Sequence, residues 1–236
     1  MRPTAAYTTQ RPDTDTLALF DLDGTLIARD SDHAFGEFMV QLGWADATEH
    51  RRRNDAFFAQ YQAGTLDVAA YVDFATSAWR ARPLDQQQAA RRRFMDEVVQ
   101  PMITPQARAL VHQHLDAGHQ VAVVTATNEF VTQPIAQAFG VDTLIAVQLQ
   151  RDAAGLVTGE ILGTPSFRDG KIKRVNDWLA GLGQQWSDFA HTVFYSDSTN
   201  DLPLLEQVSR PVATNPSPAL EAIARQRGWT ILRLFE

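Results

Sequence analysis

The chain has 236 residues and no cysteine, with 21 Lys and Arg against 28 Asp and Glu. That length suits one domain, or one core with a sizeable insertion, and the missing thiols exclude disulfides, thiolate zinc sites and cysteine nucleophiles. The mildly acidic balance argues against broad nucleic-acid or anionic-membrane binding, and no apolar run is long enough to span a bilayer.

Residues 1–15 are polar, carry Pro3, Arg11 and Pro12, and lack the apolar centre of a signal peptide. A flexible tail and a cytoplasmic location are expected. Residues 16–26 (TLALFDLDGTL) run an apolar strand into acids and a glycine, as a buried parallel strand does where it opens into a functional loop. From 32 to 100 no strand pattern occurs. Gly43, Gly64-Thr65 and Pro83 divide this stretch into helices expected over 32–42, 47–62, 66–80 and 84–99. Phe35 and Phe38 read as its interior.

Beyond it, helices are expected over 105–116, 129–139, 171–182, 202–208 and 218–227. Strands are expected over 120–125, 192–196, 210–213 and 229–232. Residues 144–162 read as a β-hairpin turning at Ala154-Gly155. This alternation predicts an α/β fold: a Rossmann-like, mostly parallel sheet built from 16–31 and 101–236, with an all-helical cap inserted over 32–100. His112, His114 and His119 fall in or just past one helix and read as surface or last-turn residues. His33 lies near the entrance of the insertion, where it can touch a substrate.

The chemistry-bearing residues sit at strand ends. Asp21 and Asp23 close the first strand at i and i+2, so their side chains point the same way if the strand geometry persists. Paired carboxylates repel and call for a hard divalent cation, although a solvated acidic turn has the same composition. Asp197 ends another strand and can complete a metal site with Asp21. Asp201 can cap the following helix, orient water around the metal, or both. Thr125, at a strand end near a helix start, suits an anion. Lys171 opens a helix, where the macrodipole disfavours a cation, and so is informative if it reaches inward to phosphate. Together these residues are an inventory for phosphoryl transfer, in which a carboxylate attacks while metal and lysine neutralise the phosphoryl oxygens.

In order, FDLDGTL at 20–26, VVTAT at 123–127, GK at 170–171 and YSDSTND at 195–201 resemble the motifs of the haloacid dehalogenase superfamily of phosphohydrolases. The chain is most similar to its phosphoserine-phosphatase-like branch (subfamily IB), which carries a helical cap. The resemblance implies a phosphatase acting on a small phosphorylated metabolite. Asp21 would be the nucleophile and Asp23 the general acid and base. Mg2+ would be held by Asp21, the Asp23 backbone carbonyl and Asp197, with Asp201 in support. Thr125, the Ala126 amide and Lys171 would hold phosphate, with Asn200 nearby. Asp30 would stand where the branch places an acid facing the substrate amine. Two departures are visible. The branch's Ser-Gly-Gly reads Thr-Ala-Thr at 125–127, and no arginine is evident for a substrate carboxylate. Arg51, Arg52 and Arg53 are candidates, but a charge run is usually a solvated face. A phosphotransferase would use the same groups with an alcohol in place of water. A receiver-like phosphoacceptor module shares the acids, Thr and Lys, but is shorter, lacks a cap and takes its acceptor from a later strand.

Overall fold

The computed structural model describes residues 15–235. The tail expected over 1–15 lies, apart from Asp15, outside them. In chain order, β1 (Thr16–Phe20) leads into α1 (Ser31–Gln41), α2 (Ala47–Ala63), α3 (Val68–Ser77) and α4 (Leu84–Phe94). A π-helical turn over Met95–Val99 and a 3₁₀ turn over Gln100–Met102 carry the chain to α5 (Pro105–Asp116). Then follow β2 (Gln120–Asn128), α6 (Glu129–Ala138), β3 (Leu144–Val147), β4 (Leu149–Arg151), β5 (Val157–Ile161) and α7 (Asp169–Gly181). The chain closes with β6 (His191–Ser196), α8 (Leu202–Gln207), β7 (Arg210–Thr214), α9 (Pro218–Arg227) and β8 (Thr230–Leu232). Asp30, Asp46 and Asp67 start α1, α2 and α3 by accepting first-turn N–H groups that would otherwise lack partners.

Six strands form one sheet in the order β3-β2-β1-β6-β7-β8, and all its neighbouring pairs are parallel. The fold is thus α/β, as expected. From β1 the chain continues to β2 on one side and later to β6 on the other. The carboxyl ends of these strands therefore flank a crevice, where ligands bind in open α/β sheets. Successive β1 residues serve opposite faces. Ala18 and Phe20 join a core with α5 and α6, while Leu17 and Leu19 join one with α7, α8 and α9. Burial on both faces explains why β1 reads as an unbroken apolar run.

The structure corrects three sequence expectations. Residues 144–162 are not one hairpin. Leu144–Val147 pairs parallel with β2 at the sheet edge, and only β4 and β5 form the antiparallel pair. The buried run Ile145-Ala146-Val147 is better covered there than in an exposed ribbon. Second, β2 runs on past Thr125 to Asn128, with an irregularity between Val124 and Asn128. Third, His114 is a last-turn residue but not a surface one. It is 8% exposed, its Nε2 is 2.9 Å from the Tyr195 hydroxyl, and its Nδ1 is 2.7 Å from His119 Nδ1. Among the described residues no helix is long and apolar enough to cross a membrane.

Burial, and then the His119 charge, pushes the His114 pKa down from 6.5 to about 4. Between those values the unfolded chain binds more protons than the folded one, so acidification costs stability in that window. His114→Gln should remove this component. The melting-temperature advantage of the wild type over the variant should shrink as the pH falls from about 7 to about 4. The other titrating groups are common to both proteins, so a pH-independent advantage would refute the assignment.

Candidate active site

The loop after β1 is built tightly. The Asp21 N–H extends the sheet by donating to the Tyr195 carbonyl at 2.9 Å. The N–H groups of Thr25, Leu26 and Ile27 all turn back onto the Leu22 carbonyl. Gly24 has φ +75°, and a Cβ there would stand 2.5 Å from Asp197 Oδ2. Only glycine permits both that conformation and that approach. The loops after β1 and β6 are thereby brought into contact.

Lys171 is 1% exposed. Its Nζ donates to Asp21 Oδ1 at 2.8 Å and to Asp201 Oδ2 at 2.7 Å. Burial alone would lower its pKa, but Asp201 and then Asp21 outweigh burial and raise it, so the ammonium persists. Asp201 occupies the N-cap position of α8 without a side-chain capping bond. Its Oδ2 also accepts from Ser196 Oγ at 2.7 Å. The capping role open to Asp201 in the sequence is therefore not made by its side chain, which turns to Lys171.

Asp21 and Asp197 converge. The single hydroxyl proton of Thr25 faces Asp21 Oδ2 at 3.2 Å and Asp197 Oδ1 at 3.3 Å, and it can serve only one of them at a time. Asp21, Asp197 and Asp201 set three carboxylates against one ammonium. Burial, then the charges of Asp21 and Asp201, pushes the Asp197 pKa well up. A divalent cation reverses that logic by offsetting the missing positive charge. Hard oxygen donors of this kind fit Mg2+. Among the described residues no three His, Asp or Glu side chains already stand at ligand spacing. Two carboxylates, a backbone carbonyl and water are the donors this set can offer.

Asp23 has different partners. Its Oδ1 accepts from the Ser31 N–H at 2.7 Å and its Oδ2 from Thr127 Oγ1 at 2.9 Å. Burial, then the Asp30 charge, pushes its pKa up to about 7. A carboxyl in that range exchanges protons at neutral pH. Ser31 and Thr127 escaped the sequence reading, as did Thr25 between Asp21 and Asp197. The only available signal for Thr25 and Thr127 was their place inside the DGT and TAT strings, and Ser31 had none.

Asp21, Asp23, Asp30, His33 and Thr125–Thr127 line a cavity of about 30 Å³. Facing them are Phe57, Phe58 and Tyr61 of α2, Tyr71 of α3, and Phe167. Among the described residues no Lys or Arg lines this chamber. A groove of about 760 Å³ also contains Asp23, Asp30, His33, Phe58 and Tyr61, and adds Asp197 and Arg29. Asp30 is the N-cap of α1, accepting from the His33 N–H at 2.7 Å, while the His33 Nε2 meets Asp55 at 2.9 Å. Asn200 donates to the Tyr61 carbonyl at 2.8 Å, so its amide nitrogen is engaged by α2. The three arginines sit elsewhere. Arg51 pairs with Glu37, Arg52 pairs with Glu49, and Arg53 lies over the Phe74 ring.

A sequence profile of haloacid dehalogenase-like hydrolases matches residues 18–206. The chain belongs to this family. It is 43% identical to a histidinol-phosphatase of Neisseria meningitidis serogroup C (strain 8013), over 92% of this chain and 97% of the relative. It is 29% identical to phosphoserine phosphatase SerB1 of Mycobacterium tuberculosis (strain ATCC 25618 / H37Rv), over 96% of this chain and 74% of that protein. A solved structure of a protein of unknown function from Bordetella pertussis Tohama I superposes with a TM-score of 0.89 at 49% identity, covering 94% of this chain and all of that one. A substrate-bound phosphoserine phosphatase shares the fold with a TM-score of 0.64 at 19% identity, covering 92% and 91% of the two chains. This haloacid dehalogenase-like enzyme is accordingly a phosphatase.

Among the described residues Lys171 is the one cation hydrogen-bonded to both Asp21 and Asp201. Removing one partner of a buried pair commonly costs about 3–5 kcal/mol. Lys171→Gln should therefore lower stability by about that much in metal-free denaturant titrations. An unchanged midpoint would show that the buried charges are balanced in another way.

Proposed function

We propose a Mg2+-dependent phosphatase that hydrolyses a small, amine-bearing phosphomonoester through an aspartyl-phosphate on Asp21, with histidinol phosphate as the favoured substrate. The observation that carries the substrate class is the chamber lining: an acid, Asp30, and five aromatic rings, with no Lys or Arg among the described residues. A carboxylate attracts a substrate amine, and flat rings suit an imidazole. The α-carboxylate of phosphoserine would find no cationic partner among the lining residues. The histidinol-phosphatase relative supports the same choice at 43% identity over nearly the full length of both chains.

In the proposed reaction the Asp21 carboxylate attacks phosphorus in line, and the bond from phosphorus to the alcohol oxygen breaks. Asp23 gives its proton to that oxygen. It then takes a proton from water as the water attacks the aspartyl-phosphate, which frees Asp21 and inorganic phosphate. Lys171, the Thr125 hydroxyl and the Ala126 amide hold the phosphoryl oxygens. Mg2+, held by Asp21, Asp197 and the Asp23 backbone carbonyl with Asp201 behind them, supplies the remaining positive charge when bound. The helices between β1 and β2 act as a cap that excludes water.

Two measurements test this reading. On a panel of phosphomonoesters, kcat/KM for histidinol phosphate should exceed that for phosphoserine by at least about 10-fold, and the reverse order would refute the substrate class. Asp30→Asn keeps a capping oxygen for α1 but removes the charge. A charge-assisted hydrogen bond contributes about 1.5–3 kcal/mol. The KM for the amine substrate should therefore rise by roughly 10-fold or more, with an aryl phosphate nearly unaffected. Equal effects on both substrates would assign Asp30 to the fold. For the metal, activity should vanish with EDTA and return with Mg2+, and Asp197→Ala should weaken Mg2+ activation more than Asp201→Ala. Undiminished activity in metal-free buffer would overturn the metal requirement.

A further inference from the structure

Asp23 is gripped by two kinds of donor. The Ser31 backbone N–H reaches Oδ1 at 2.7 Å, and the Thr127 hydroxyl reaches Oδ2 at 2.9 Å. A backbone N–H can only donate, so Oδ1 is an acceptor in every state of the carboxyl. A hydroxyl can turn. It donates to Oδ2 when Asp23 is a carboxylate and accepts from Oδ2–H when Asp23 is a carboxylic acid. The Thr125 hydroxyl also faces Oδ2, but at 3.4 Å, near the limit of a hydrogen bond, and its oxygen accepts from the Thr127 N–H at 3.1 Å. Thr127 is itself buried, 6% exposed, so its side chain has little freedom to leave.

We propose that Thr127 is a positioning residue for proton transfer, holding Oδ2 of Asp23 as the oxygen that carries the proton. In the first half-reaction that proton passes from Oδ2 to the alcohol oxygen, which receives the electron pair of the breaking P–O bond. In the second, Oδ2 takes a proton from water as the water oxygen bonds phosphorus and the bond to Asp21 breaks. The inference rests on the reading of Asp23 as acid and base.

The test uses leaving-group dependence with the full chain and Mg2+. The ratio kcat/KM reports the steps up to release of the alcohol. An alkyl alcohol needs a proton to leave; 4-nitrophenolate does not. Thr127→Val should lower kcat/KM for histidinol phosphate, or for the best alkyl phosphate of the panel, by on the order of 10–100-fold. The ratio for 4-nitrophenyl phosphate should change by less than about 3-fold. Thr127→Ser should restore the alkyl value. Thr127→Ala carries the same expectation should the valine variant fail to fold. Equal losses on both substrates, or no loss on the alkyl one, would overturn the proposal. Asp23→Asn separates the two failures. If it too spares the alkyl phosphate, the acid–base reading of Asp23 fails. If it selectively loses the alkyl phosphate while Thr127→Val does not, only the role of Thr127 fails.

Discussion

The site depends on one buried ammonium. Lys171 lies between Asp21 and Asp201, and each of the three comes from a different segment: the end of β1, the first turn of α7, and the turn after β6. Burying these charges costs several kcal/mol per ion, and good geometry must offset that cost. The chain accepts strain to achieve it. Arg168, at the N-cap position of α7, holds φ 52° and ψ −123°, unfavourable values for a residue with a Cβ. Gly170 has no side chain because a Cβ there would fall 2.1 Å from the Pro165 carbonyl oxygen. A lysine in the first turn also works against the helix dipole. Two carboxylates within hydrogen-bond distance outweigh that dipole, which is why the position is tolerated.

A division of labour between the two acids of the first motif follows from this. Asp21 shares its neighbourhood with Lys171, Thr25 and Asp197. Asp23, two residues on, is held by the start of α1 and by β2. The sequence reading left open whether both side chains point the same way. In the structure both line the chamber, yet their hydrogen-bond partners are wholly different. Burial raises both pKa values; at Asp21 the Lys171 charge pulls against that rise, while at Asp23 the Asp30 charge adds to it and the value reaches about 7. Pairs of acids whose environments differ in this way are suited to different roles in one reaction.

Much of this was legible in the sequence because it rests on local rules. An apolar run ending in acids marked β1 and β6, and the parallel sheet then brought Asp21 and Asp197 to one edge. The misplaced charge of Lys171 was informative for the same reason. What stayed hidden depends on distant partners. His114 carries no local sign that Tyr195, 81 residues on, will accept it into the core. The strand Leu144–Val147 and the strand Leu149–Arg151 are separated only by Gln148, so periodicity alone cannot assign them to different sheets. Asn200 was expected beside phosphate, and nothing in its neighbourhood announces a bond to Tyr61, 139 residues earlier.

That last bond bears on how the enzyme admits its substrate. A cavity of about 30 Å³ holds about one or two water molecules. On the proposed reading the phosphomonoester is larger than that, and the chamber shares Asp23, Asp30, His33, Phe58 and Tyr61 with the groove of about 760 Å³. Contacts at the C-terminal end of α2 fasten it over the site. Asn200 Nδ2 donates to the Tyr61 carbonyl, Arg168 Nη1 donates to the Gly64 carbonyl at 2.9 Å, and the Tyr61 and Phe167 rings lie 5.9 Å apart. Both carbonyls belong to the C-terminal end of α2, where a guanidinium is favoured by the dipole. Each hydrogen bond contributes about 0.5–1.5 kcal/mol net. The arginine that supplies one of these bonds stands three residues before Lys171. The strained turn that delivers the buried ammonium to Asp21 thus also presents the side chain that fastens α2 over it.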